Sequence, residues 1–192
     1  MASLSESELH EIVHRVVENA LGSPAAKPAA TPLAPAQTQA STKRVVALGA
    51  DHGGYELKEA LKPDLAALGF EIQDLGTNSK DAVDYPDFAH AVAQAVGTGK
   101  AWRGIMIDGA GIGSCIVANK VPGIRAGMAY DISSANNSRE HNDTNVLTLG
   151  AGLIGVSLAK QIVKTWLTTE FAAGRHTARL DKIKSVEKKY LK

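Results

Sequence analysis

The chain has 192 residues, 44% hydrophobic and 21% charged, enough for one well-buried core. Its 21 basic and 20 acidic residues leave a net charge of +1, so no global field recruits nucleic acid or an anionic membrane, and any anionic ligand must be gripped locally. A single cysteine, Cys115, excludes an intrachain disulfide framework; with no apolar run near the roughly 20 residues that span a bilayer and no signal-peptide pattern, a cytoplasmic protein is expected.

In the first forty residues, Leu9, Ile12, Val13, Val16, Val17, Ala20 and Leu21 recur at spacings of three and four, the mark of one apolar face on a short helix. Ser5 with Glu8 forms a capping-box pair and Gly22 before Ser23-Pro24 supplies a stop, so residues 1–22 are expected to form an amphipathic helix. Residues 23–42 are dominated by Ala, Pro, Ser, Thr and Gln, a composition that buries too little apolar surface to offset chain ordering. Extended at about 3.1 Å per residue, this linker reaches roughly 60 Å. Either the helix packs on its own subunit or oligomer, or it docks into a partner's groove. The tethered apolar helix resembles the encapsulation peptides that carry enzymes into bacterial microcompartments, which implies a shell protein as its partner.

Residues 43–192 read as a second unit. Arg44–Gly49 is a short apolar, partly β-branched run, and Tyr55–Leu68 follows with Leu57, Leu61, Leu65 and Leu68 on one side of a helix. Gly69 closes that helix and Phe70–Leu75 alternates like a strand. Pro86 opens a helix carrying Phe88, Ala89, Val92, Ala93 and Val96. Further strands are expected at Gly104–Asp108, Ile124–Ala129 and Asn145–Leu149, with helices over 114–120, 132–140 and 155–172 and a last one from Thr177 to Lys192. Strands alternating with helices predict an α/β fold, a parallel sheet covered on both faces with its ligand at the strands' carboxyl ends.

The chemistry gathers at the junctions. A strand that ends on Asp108 and opens through Gly109-Ala110-Gly111-Ile112-Gly113 into a helix leaves backbone N–H groups free to hold an anion. The turn is not a P-loop, since no Gly-Lys-Ser/Thr follows, and it lacks the spacing of a dinucleotide fingerprint. Asp51 and His52, in Asp51-His52-Gly53-Gly54, project from the end of the first strand; Asp51 is alternatively a helix cap. Asp84-Tyr85-Pro86 offers Tyr85 to a sugar or Asp84 to a cap. Ser138 to Asn145 concentrates polar groups around His141, a proton-transfer residue near neutral pH. Arg175 and Arg179, four apart, aim two guanidinium forks the same way on a helix and suit a phosphate. No His, Cys and carboxylate cluster has metal-ligand spacing, so no metal is expected.

In this order and spacing, Asp51-His52-Gly53-Gly54, Asp84-Tyr85-Pro86, Gly109–Gly113 with Ala118-Asn119-Lys120, His141-Asn142-Asp143-Thr144-Asn145 and Gly174-Arg175-His176 resemble the ribose-5-phosphate isomerase B and galactose-6-phosphate isomerase family over residues 43–190. The resemblance implies a doubly wound, Rossmann-like or flavodoxin-like sandwich. It also implies a homodimer or homotetramer with shared active sites, and cofactor-free aldose–ketose isomerisation of a sugar phosphate through an enediol. By that likeness His141 assists ring opening, His52, Arg175 and Arg179 bind phosphate, and Asp51, Tyr85 and Asn142 contact the sugar. The amides of Gly109, Gly111, Ile112 and Gly113 would stabilise the enediolate oxygen.

Where ribose-type members place a cysteine base this chain has Asp108, and where they place a threonine it has Ala110; another branch has a glutamate base at the position of Ser114. A carboxylate can abstract a proton beside a carbonyl, which makes Asp108 the first candidate base. Cys115 is the second, with a small core cysteine as its alternative reading. A sugar-phosphate-binding or assembly protein that keeps the fold and has lost the base is the competing function.

Overall fold

The computed structural model describes residues 7, 10, 11, 13–16 and 44–191. The chain divides into two units, residues 1–40 and 41–192. In the first, the described residues are helical and exposed, Val13 and Val16 among them. The remaining positions of the expected apolar stripe, the Ser5–Glu8 box and the linker over 23–42 lie outside the described residues.

The second unit runs β1 (Val45–Ala50), α1 (Tyr55–Ala67), β2 (Glu71–Asp74), α2 (Tyr85–Gly97), β3 (Arg103–Asp108), α3 (Ile112–Ala118), β4 (Ala126–Met128), α4 (Ile132–Asn142), β5 (Val146–Gly150), α5 (Val156–Thr168) and α6 (Arg175–Tyr190). All pairings are parallel, in the order β2-β1-β3-β5-β4. The doubly wound α/β expectation therefore holds, and the strand order reverses between β1 and β3.

Strand residues alternate between two buried layers, as a period of two requires. Val46, Leu48, Ile105, Ile107, Leu147 and Leu149 pack with Leu57, Leu61 and Leu65 of α1 and Ile162, Val163 and Trp166 of α5. Ala47, Met106 and Val146 face the other way, onto Ala89, Val92, Ala93 and Val96 of α2 and Ala118 of α3. Burial on both faces explains the apolar runs of β1, β3 and β5, while β2, an edge strand with exposed Glu71 and Asp74, alternates.

Several helix ends differ by a few residues from the expected ones, and three of them bear on the polar residues. The α3 helix begins two residues early, at Ile112, because the Asp108 carboxylate binds its first turn. The α5 helix stops at Thr168, and the Arg103 guanidinium donates to the Trp166 and Leu167 carbonyls, which lack helical acceptors' partners at a C-terminus. The α6 helix begins at Arg175, so Arg175 and Arg179 do share a helix.

One charged residue lies inside the packing. Lys58 is fully buried, and its Nζ sits 2.7 Å from both Asp74 oxygens, tying α1 to the edge strand. Burial opposes ionisation of Asp74, but the bonds from Lys58 and Lys62 outweigh it and hold its carboxyl below the usual carboxylate range. A depressed folded-state pKa contributes stability that is present above the unfolded value, about 3.9, and lost as pH falls through the folded one. Asp74→Asn should therefore lower Tm at pH 7, and the gap to wild type should close as thermal melts are taken below about pH 4.

Candidate active site

The carboxyl ends of β1 and β3, where the strand order reverses, carry the first set of polar residues. The Asp51 amide donates to Ile107 O at 3.1 Å, which locks the turn after β1 to the end of β3. Asp51 is 7% exposed, and one carboxylate oxygen accepts from Gly54 N at 2.9 Å; Gly54, and not Asp51, is the N-cap of α1, so the carboxylate braces the turn before the helix and its second oxygen remains. His52 is exposed, with Nδ1 placed 3.1 Å from Val83 O and 3.2 Å from Val83 N, which leaves Nε2 to face a ligand. Tyr85 lies over Gly113: a Cβ there would meet the tyrosine ring at 2.5 Å, so only glycine lets ring and helix start approach.

Asp108 sits at the centre of this end and is 5% exposed. Its carboxylate accepts from Ala110 N at 2.8 Å, from Gly111 N, from Ser114 N at 3.2 Å and from the Ser114 hydroxyl. Gly111 adopts φ +79°, a left-handed conformation that favours glycine and folds the turn around the acid. Two consequences follow. Asp108 and Ser114, the two positions where the resemblance places alternative bases, converge on one hydrogen bond. The anion that the turn holds is the chain's own, so the amides of Ala110, Gly111 and Ser114 are already engaged. The N–H groups of Ile112 and Gly113, first and second in α3, have no intrahelical acceptor and remain for a ligand; Ile112 is itself exposed.

Cys115 is turned elsewhere. Its Sγ lies 3.5 Å from Ala126 O and 3.6 Å from Asn119 Nδ2, packed toward β4. Burial pushes the thiol up from its ordinary pKa, against the hydrogen bonds it receives, which suits a core cysteine and not a base near neutral pH. The geometry therefore favours Asp108 over Cys115 as the candidate base.

The other polar set lies at the opposite end of the sheet. His141 and Asn142 close α4, three residues before β5 begins, and Asn142 O accepts from Arg125 Nε at 3.2 Å, beside the start of β4. His141 is half-buried, with Nδ1 2.9 Å from Asn137 Nδ2 and its ring stacked on His176 at 4.2 Å. His176 opens α6 between the exposed Arg175 and Arg179, and Arg175 Nε reaches His176 Nε2 at 3.4 Å. Burial lowers the His176 pKa, with the charges of His141, Arg175 and Arg179 acting in the same direction. His176 received no role from the sequence, although it sits within the Gly174-Arg175-His176 motif; the i,i+4 spacing of Asn137 and His141 was also readable there.

Within one chain, then, Asp51, His52, Tyr85, Asp108 and Gly109–Gly113 come together, and His141, Asn142, Arg175 and Arg179 come together, but the two sets do not meet. The length of a six-residue strand separates them, about 17 Å at roughly 3.3 Å per residue. Among the described residues no group of three His, Cys, Asp or Glu side chains is placed to share a metal ion, and no helix is long and apolar enough to cross a membrane.

These features define a doubly wound α/β protein with a small polar-ligand site at its topological switch point. The chain belongs to the ribose/galactose isomerase family, whose sequence model matches residues 46–183. It is 44% identical to the ribose-5-phosphate isomerase B of Escherichia coli over 144 residues, covering 75% of this chain and 97% of that protein. It is 41% identical to the D-erythrulose-4-phosphate isomerase of Pectobacterium atrosepticum over 139 residues, 72% of this chain and 91% of the relative. Among solved structures, Clostridium thermocellum ribose-5-phosphate isomerase B superposes with a TM-score of 0.75 at 50% identity, covering 76% of this chain and 99% of that one.

Proposed function

We propose that the chain is a cofactor-independent aldose–ketose isomerase acting on a phosphorylated sugar through an enediol. The relatives above act, by their names, on ribose 5-phosphate and D-erythrulose 4-phosphate, which supports a short sugar phosphate as the substrate and leaves its carbon number to experiment. The observation that carries the reading is the division of the polar residues between the two ends of a parallel sheet: each set is half of an isomerase site. A homodimer, or a tetramer built from such dimers, completes the site by bringing the amino end of one copy to the carboxyl end of another.

In that assembled site, His141 of a second copy moves the proton that opens the sugar ring, its Nδ1 held by Asn137 so that Nε2 faces the substrate. Arg175 and Arg179 of that copy, with His52 of the first, hold the phosphate as charged hydrogen-bond donors. Asp51, Tyr85 and Asn142 contact the sugar hydroxyls. Asp108 abstracts the proton beside the carbonyl and returns it to the neighbouring carbon, while the N–H groups of Ile112 and Gly113 stabilise the enediolate oxygen. The convergence of Asp108 and Ser114 supports this base, since both positions present their side chains to one point.

One observation favours a second reading, a sugar-phosphate-binding protein without turnover: four donors already occupy the Asp108 carboxylate, and a base must exchange one of them for the substrate. The two readings separate when the protein is incubated with aldose and ketose phosphates in deuterated water and exchange at C1 or C2 is followed by NMR. Isomerase function gives exchange with one sugar, and Asp108→Asn abolishes it while leaving phosphate binding in place. Binding without exchange across the panel selects the second reading.

The shared site has its own test. His52→Ala and His141→Ala should each be nearly inactive, and mixing them under exchange of subunits should restore about a quarter of wild-type activity, because half of the dimers then carry one intact site of two. No recovery on mixing would show that the halves do not meet across an interface.

The apolar stripe of residues 1–22 and the long Pro/Ala-rich linker support a further part of the proposal, that the enzyme is cargo of a bacterial microcompartment and docks on a shell protein. Deleting residues 1–22 should leave turnover unchanged and abolish co-sedimentation with shell proteins; retained co-sedimentation would refute the role.

A further inference from the structure

The amino end of the sheet carries a polar feature that isomerisation does not use. Arg44, Trp102, Arg103 and Arg125, which lead into or begin β1, β3 and β4, wall a cavity of about 320 Å3 that Arg139 and Asp143 close from the end of α4. Neither Arg175 nor Arg179 lines it.

Its charges do not balance. Asp143 serves two guanidiniums at once, with one oxygen 2.8 Å from Arg125 Nη2 and the other 2.8 Å from Arg139 Nη1. Glu170 also borders the cavity, but no carboxylate among the described residues lies within ion-pair distance of Arg44 or Arg103. Four guanidiniums against two carboxylates leave a surplus of two positive charges in one cavity.

Arg103 makes the surplus expensive, because its side chain is almost entirely buried, at 3% exposure. A buried charge is ordinarily paired, since desolvation without a counter-ion is strongly unfavourable. What surrounds Arg103 positions it without neutralising it. Its Nη1 donates to Trp166 O and Leu167 O, both at 3.0 Å, and its guanidinium stacks on one face of Trp102 at 4.0 Å. Arg44 also lies over the same indole, at 4.3 Å, and the Phe70 ring stacks on it with centroids 5.7 Å apart. Burial, then the neighbouring charge of Arg139, pushes the Arg103 pKa down to about 10, and the more distant carboxylates of Glu170 and Asp143 only partly oppose that.

We propose that this cavity binds a small phosphorylated ligand, independently of the phosphate held by Arg175 and Arg179. A phosphate dianion matches the surplus of two, and the unused edges of the Arg44, Arg103 and Arg139 guanidiniums are planar forks of the kind that bind phosphate oxygens in pairs. The cavity is too small for a polynucleotide, and Arg44, Arg103 and Phe70 already pack on Trp102, which disfavours base stacking as a mode of recognition.

Trp102 touches two of the proposed ligand residues, Arg44 and Arg103, and provides the readout. Full-length protein is titrated with inorganic phosphate, and separately with pyrophosphate, at constant ionic strength while tryptophan emission is followed; Trp102→Phe assigns the signal. The expected result is a saturable change that survives in the Arg175→Ala/Arg179→Ala double variant and is weakened at least tenfold by Arg44→Ala, an exposed position whose replacement leaves the core intact. The phosphate-dependent rise in Tm of the double variant gives a second measure that needs no fluorescence. A response matched by sodium chloride alone, one lost in the double variant and kept in Arg44→Ala, or no saturable response at tens of millimolar phosphate would each overturn the proposal.

Discussion

A sheet in which every strand runs the same way has two chemically unlike ends, and a chain that returns through helices must place successive loops at opposite ends. Every polar feature of this protein follows from that constraint. The loops after β1 and β3 present Asp51, His52 and the glycine turn at the carboxyl end, while the ends of α4 and the start of α6 gather His141, His176, Arg175 and Arg179 at the amino end. Two sets that read along the sequence as one crevice are thereby held apart, and assembly of copies becomes the natural way to unite them.

Within the carboxyl-end set, Asp108 organises the backbone before it can do any chemistry. Its carboxylate draws in three amides and a hydroxyl, satisfying groups that would otherwise lack a partner in the turn that opens α3. A cysteine at this position could not accept so many hydrogen bonds, and a glutamate at position 114 could not share the space with Asp108 in the same way. Asp108 and Ser114 are therefore joined in one hydrogen-bonded unit.

The amino end combines two different uses of positive charge. The α6 arginines are exposed and project from a helix, as residues do that meet a ligand or another copy. Arg103 and Arg139 are buried, spend part of their hydrogen-bonding capacity on helix-end carbonyls and on the Thr144 and Thr169 carbonyls, and face an enclosed space. Arg103 packs against the indole rings of Trp102 and Trp166, and the excess of guanidiniums over carboxylates distinguishes the cavity from an ordinary ion-pair network.

Much of the fold was legible because the relevant signals are local. Apolar runs at β1, β3 and β5, leucines at helical spacing in α1, Pro86 at the start of α2 and the glycines after Asp108 placed every strand and helix of residues 44–191 to within a few positions. The motifs around Asp51, Asp108, His141 and Arg175 were equally visible, since each is a short contiguous stretch. What sequence could not convey depends on direction and distance: that Cys115 turns toward β4, that the Asp108 carboxylate faces its own turn, that Arg44 and Arg103 both pack on Trp102, and that His141 stacks on His176. These are decided by which face of a helix or strand meets its neighbour, and residues 59 positions apart, such as Arg44 and Arg103, become partners only when parallel strands bring their amino ends side by side.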